Sequence, residues 1–190
     1  MGSDAFLAHL ARRAAGGDTG ALDELVRELE PLVVRTVRLI VGAGSWTAED
    51  AAQDALLDVA RGIPTLREPD AVRAWALRVA TTRAVKVARR ERLVSARRAT
   101  LVDRELAVEP SDERAGALKD AFDRLPPKLR ATAVLRLYVG LSESETAGAL
   151  GCSLGTVKSN LHDARTHLTA VLAERGFAPT VLPNSLEESA

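Results

Sequence analysis

Apolar positions recur every three to four residues along most of the chain, and no stretch alternates convincingly with a period of two. The pattern predicts helices throughout. A first runs from Asp4 to Ala15 and stops at Gly16-Gly17. Asp18 then caps a second, which reaches about Val41 with Leu22, Leu25, Leu29, Leu32, Val33, Val37 and Ile40 as its apolar stripe. Pro31 should bend or interrupt this helix, and the "GAGS" that follows should close it. A third helix is expected from Thr47, as its cap, to Gly62, with Glu49 and Asp50 in the first turn suiting the helix dipole. Asp70 is positioned to cap a fourth, ending near Arg92.

The pattern weakens from Leu93 to Gly116, where "VEPSDERAG" reads as a flexible acidic linker with helix persisting only around Ala99 to Leu106. Regular spacing resumes at Ala117. Pro127 suits a first helical position and Gly140 a position just past a helix end. Ser142 and Glu145 form a Ser-x-x-Glu capping box for a short helix ending near Leu150. Gly151-Cys152-Ser153 then makes a tight turn, with Ser153 capping a helix striped by Val157, Leu161, Ala164 and Leu168. The fold class is therefore all-α: two small helical domains, 1–92 and 117–176, joined by a linker, 93–116, with a loose tail, 177–190.

Composition narrows this reading. Aromatic residues make up 3% of the 190 positions, so the cores must be aliphatic and closely packed. One cysteine, Cys152, excludes an intramolecular disulfide and is best read as a small buried filler. His162 and His167 lack a third ligand and read as surface or half-buried residues. No apolar run approaches the roughly 20 residues of a membrane span, and the N-terminus lacks the apolar core of a signal peptide. A cytoplasmic chain that does not insert into membranes is expected, with no cofactor and no metal site.

Net charge is zero, which removes any bulk-charge reason to expect a nucleic-acid partner. Local charge is more informative. Asp18 to Gly62 holds nine acids and four bases, whereas Asp70 to Arg98 holds nine bases and two acids. Arg83, Lys86 and Arg90 stack at helical spacing with no acid between them to relieve the repulsion, so an anionic ligand would offset a cost. Charge alone leaves nucleic acid and an ordinary basic surface equally open.

The short capped helix, the turn at Gly151 and the longer helix after it have helix-turn-helix spacing. The second helix opens with Ser153, Gly155, Thr156, Ser159 and Asn160, which have little packing value. Thr156, Ser159 and Asn160 could enter a major groove, where Asn pairs bidentately with adenine and a Thr methyl meets thymine. Lys158 and Arg165 could hold phosphates. Asp163 would repel phosphate and must face a base donor, a cation or solvent. The competing reading is a solvated surface helix.

A resemblance covers most of the chain. "LPPKLRATAVLRLYVGLSESETAGALGCSLGTVKSNLHDAR" resembles region 4 of the extracytoplasmic-function (ECF, group 4) sigma factors of bacterial RNA polymerase. Upstream, "AEDAAQDALLDVARG" and "VRAWALRVATTRAVKVARRER" resemble successive parts of region 2 in the same order. The resemblance implies a sigma factor, not an enzyme, that gives core RNA polymerase its promoter specificity. It implies that Asp50, Gln53, Asp54 and Leu57 dock on the β′ clamp helices. Trp75, Arg78, Thr82, Arg83, Lys86, Arg89 and Arg90 would handle the −10 element, with Trp75 either a core aromatic or a stacking platform. Thr156, Lys158, Ser159, Asn160 and Arg165 would serve the −35 element, while the apolar surface of region 4 meets the β flap. An anti-sigma factor clamped between the domains is a further partner that the family admits.

The sequence also departs from the family's pattern. Leu56 and Ala60 stand where Phe and Trp are usual. Thr81-Thr82 replaces a common Arg-Asn, Lys86 a frequent Asp, and Asn160 a common Arg, which would exchange a guanine contact for an adenine one. Two other readings use part of these features: a helix-turn-helix regulator, and a degenerate sigma-like module that sequesters a partner.

Overall fold

The computed structural model describes residues 3–42, 45–98 and 113–177. Every regular element in them is helical: α1 (Ser3–Ala15), α2 (Thr19–Val41), α3 (Trp46–Gly62), α4 (Val72–Arg98), α5 (Glu113–Arg124), α6 (Pro127–Ala133), α7 (Glu143–Leu150) and α8 (Leu154–Glu174). Two short 3₁₀ turns, Ile63–Thr65 and Pro69–Ala71, join α3 to α4.

The N-terminal unit packs α1, α2, α3 and α4 around an aliphatic core. Leu10, Leu25, Leu29, Val33, Val37, Ile40, Val59 and Ile63 are almost wholly withdrawn from water. Small residues let the helices approach closely: Ala51, Ala52 and Ala55 on α3 and Ala76, Ala80 and Ala84 on α4 are all buried in the same cluster. Asp18 caps α2 through its carboxylate, which accepts from the Ala21 amide at 2.9 Å.

Several local expectations are corrected. Pro31 does not interrupt α2, which is helical from Thr19 to Val41. Both Pro31 and Arg27, whose carbonyl loses its i+4 donor there, lie on the exposed face, so water can satisfy the freed group. Ser45, one residue before the start of α3, takes the capping role expected of Thr47. Asp70 does not cap α4. It sits in the 3₁₀ turn leading into that helix and pairs with Arg12 of α1. α4 extends to Arg98 and α5 begins at Glu113, both inside the stretch read as linker. The helix expected from Ala99 to Leu106 and most of the tail lie outside the described residues.

In the C-terminal unit, Pro127 occupies the start of α6, and the chain widens into a π turn over Val134–Tyr138. Gly140 follows with φ +79°, the left-handed region that favours glycine. The Ser142–Glu145 capping box opens α7, and Gly151, at φ +62°, ends it. Ser153 caps α8. Val157, Leu161, Ala164 and Leu168 are the buried stripe, with Ala164 and Leu168 packing on Ala121, Leu125 and Ala133.

The two units meet along a seam. Leu77 of α4 is fully buried in one cluster with Leu135, Leu141 and Ala149 of the C-terminal unit, and Leu32 and Leu150 pack against it. Ala131 and Val134 join the core of the N-terminal unit.

Candidate nucleic-acid and protein interfaces

On α3, residues three and four apart share a face. Asp50, Gln53, Asp54 and Leu57 are all exposed there, and Leu57 is 50% exposed despite being apolar. Asp54 also reaches α4, where its carboxylate accepts from Arg83 at 3.1 Å.

Arg83 corrects the charge reading of α4. It is not left among unrelieved cations, because Asp58 and Asp54 of α3 both pair with it. The ion pair, led by the Asp58 hydrogen bond, raises its pKa further above the range in which it could lose a proton. The relief comes from a neighbouring helix and was invisible to a count along α4 itself. Lys86, Arg89 and Arg90 are exposed.

A cavity of about 510 Å³ lies against α4, lined by Asp58, Trp75, Arg78, Val79, Thr82, Arg83 and Lys86. Trp75 is half-buried and packs against the N-terminal core while also forming a wall of this cavity. Its ring rests on Gly62: a Cβ built there would sit 2.6 Å from the indole, so the position requires glycine for close approach. Trp75 is thus both a packed aromatic and an accessible one. Five of the seven side chains read as a −10 set line this space. Arg89 and Arg90 instead line a second cavity, which Thr82 and Lys86 also border.

On α8, Thr156, Lys158, Ser159 and Arg165 are exposed and Asn160 is half-buried. At about 100° per residue, Asn160 lies roughly 40° from Thr156, on the side nearer the buried stripe. Its Nδ2 donates to Thr132 Oγ1 at 3.4 Å. Lys158 and Arg165, seven residues apart, form one flank of the helix, and Lys158 Nζ lies 3.6 Å from Glu143. Asp163 is exposed, as are His162 and His167. Cys152 is half-buried and borders the second cavity, so it does not act as a core filler.

The sequence reading passed over Arg130. It is 7% exposed and set among apolar neighbours on α6. Nη1 donates to the carbonyls of Ile40 at 3.2 Å and Val41 at 3.0 Å, the final residues of α2. Nη2 donates to the Asp123 carbonyl, and Nη1 lies 3.6 Å from the Asp123 carboxylate. Burial pulls the pKa of this guanidinium down, and Asp123 partly restores it. The signal available was an arginine in the apolar run "LRATAVL".

Comparison with known proteins bears on these surfaces. The family described as sigma-70 region 2 matches residues 25–94, and that described as sigma-70, region 4 matches residues 115–168. Two promoter-recognition regions of one class therefore stand in order along the chain. The ECF RNA polymerase sigma factor SigM of Mycobacterium tuberculosis is 35% identical over 177 residues, covering 90% of this chain and 85% of its own. SigD of the same organism is 31% identical over 178 residues, covering 86% and 82%. SigE of Mycolicibacterium smegmatis is 34% identical over 171 residues, covering 84% of this chain and 66% of its own. Among solved structures, CnrH in complex with the cytosolic domain of CnrY has a TM-score of 0.64 at 25% identity, covering 89% of this chain and 98% of that one. The chain belongs to the ECF RNA polymerase sigma factors. No helix in the described residues is long and apolar enough to cross a membrane.

Proposed function

We propose that this chain binds core RNA polymerase in the cytoplasm and directs promoter-specific initiation, itself catalysing no chemical step. The observation that carries the reading is the combination, in one chain, of an exposed acid-and-leucine face on α3 with a cation-lined α4 and a capped helix-turn-helix. A helix-turn-helix regulator has no use for the first of these.

Asp50, Gln53 and Asp54 supply carboxylate and amide acceptors to cationic partners on the β′ clamp helices, with Leu57 as an apolar anchor. The α4 cavity offers an indole edge and the cations Arg78 and Lys86, beside the paired Arg83, to unpaired bases and their phosphates, the combination that favours single strands. α8 presents Thr156, Ser159 and Asn160 to base edges, and Lys158 and Arg165 to phosphates. Thr82 and Lys86, where the family usually has Asn and Asp, set this chain's own manner of handling the −10 element. A protein that binds between the two units, in the manner of an anti-sigma factor, belongs to the same proposal. CnrH was solved in complex with the cytosolic domain of CnrY.

In vitro transcription with core polymerase tests the reading: promoter-directed transcripts are expected. Complex formation without initiation would point to a sequestering module, and failure to bind core would overturn the proposal.

A further inference from the structure

Two cavities border α4, and they differ in charge. The first carries its own counter-charge, since Asp58 lines it and pairs with Arg83. The second, of about 610 Å³, has no acidic residue in its lining. Lys86, Arg89 and Arg90 of α4 and Lys128 of α6 all border it, and all four are exposed. Among the described residues none of them forms an ion pair. Lys86 stands three residues before Arg89 and four before Arg90, so it repels both along one helix face. Asp54 and Asp58 relieve Arg83, but neither lines this second space.

The rest of the lining suits the remainder of a ligand. Val85 and Leu150, both half-buried, and Leu93, 65% exposed, give the cavity an aliphatic side. Asn160 and Thr156 bring an amide and a hydroxyl from α8. The amide's hydrogen bond to Thr132, at 3.4 Å, is long, and it leaves the acceptor and the second donor available. Thr81 lines the same space, is 1% exposed, and its Oγ1 has no hydrogen-bond partner among the described residues. Buried hydroxyls are rarely left so, and an acceptor reaching that wall would supply the partner. The volume falls within the roughly 300–1,000 Å³ of small-molecule sites. An inorganic ion would leave the aliphatic side empty, and a purely apolar ligand would leave the cations unpaired.

We propose that this cavity binds a small organic phosphate of nucleotide size, its phosphates on Lys86, Arg89, Arg90 and Lys128 and its ring against Val85, Leu93 and Leu150. Asn160 then meets a polar edge of that ring. The guanidinium groups suit phosphate oxygens through paired N–H donors, and the lysines add point charge. The site itself does not depend on the sigma-factor reading. Its consequence does: Lys86, Arg89 and Arg90 are also the cations proposed to handle the −10 strand, so occupant and strand compete.

Calorimetry on the full chain, in buffer free of divalent cations, tests this with ADP as the probe and adenosine and inorganic pyrophosphate beside it. ADP should bind once per chain, and each of its two parts at least about tenfold more weakly. Lys128 is exposed and has no other assigned role, so its variants should fold. Lys128→Ala should weaken ADP about threefold or more, while Lys128→Arg stays within about twofold of the parent. Arg67→Ala removes an exposed cation outside both cavities and should change nothing. Absence of ADP binding overturns the site. So does adenosine binding as tightly as ADP, or an equal loss from Lys128→Ala and Arg67→Ala. A short oligothymidine should lower the apparent affinity for ADP. An oligothymidine that binds without displacing ADP overturns the competition alone, and failure to bind core polymerase, measured separately, overturns the sigma reading alone.

Discussion

Asn160 illustrates what one side chain can and cannot disclose. Its chemistry, an amide that can pair with adenine, was legible in the sequence. Its resting contact with Thr132 was not, because Thr132 lies 28 positions away on α6. Asn160→Ala should relax preference at a single base pair, costing about 1–3 kcal/mol at the preferred base; binding to a panel of single-position duplex variants reads this directly. Lys158→Ala should instead weaken all sequences alike and lower the salt slope by about one. Glu145 supplies a different test. Its hydrogen bonds to Ser142, side chain first and then backbone, hold its carboxyl below the ordinary value of 4.5. The folded pKa lies beneath the unfolded one, so the cap's contribution is complete above about pH 4.5 and fades as pH falls through the folded value. Glu145→Gln should therefore be less stable than the parent above pH 5, with the gap closing in more acid buffer during urea titrations.

Helices were foreseen best where the device that ends them is local. The Asp18 and Ser153 caps, the Ser142–Glu145 box, Pro127 and Gly140 all act within a few residues, and all stand where the sequence put them. Asp70 and Thr47 failed as caps for a tertiary reason: Arg12 draws the first into a turn, and Ser45 with Glu91 organises the second. Pro31 shows packing outweighing propensity, since Leu25, Leu29, Val33 and Val37 on either side are wholly buried. Pro31→Ala restores a missing amide on the exposed face and should stabilise the chain by about 1–2 kcal/mol. This is less than the full cost of about 3 kcal/mol for an interior proline, because the unfolded chain regains freedom. A lower melting temperature would show that α2 depends on the proline itself. On α3, Asp50→Lys should weaken association with core polymerase while leaving affinity for a −35 duplex unchanged, and equal losses in both assays would refute that division.

At the scale of the molecule, the order of the two sigma regions was readable from the region 2-like segments upstream and the region 4-like stretch after them, whereas their mutual arrangement was not. Seam residues such as Arg35, Tyr138 and Arg130 belong to unremarkable local patterns and acquire a role only when α2 meets the π turn and α6. Nor did counting charges along α4 anticipate that Asp54 and Asp58 neutralise Arg83. That pairing links the proposed core-docking face to the −10 helix through Asp54, which is exposed and free to exchange partners.

Cys152 turns the half-buried turn before α8 into a clock. It is the chain's single thiol and borders the space between the units. Its rate of alkylation in the folded chain, set against the rate after unfolding, measures how far that space shields the sulfur. A molecule seated in the space should slow the reaction, which gives a reading of occupancy that needs no substitution and no label.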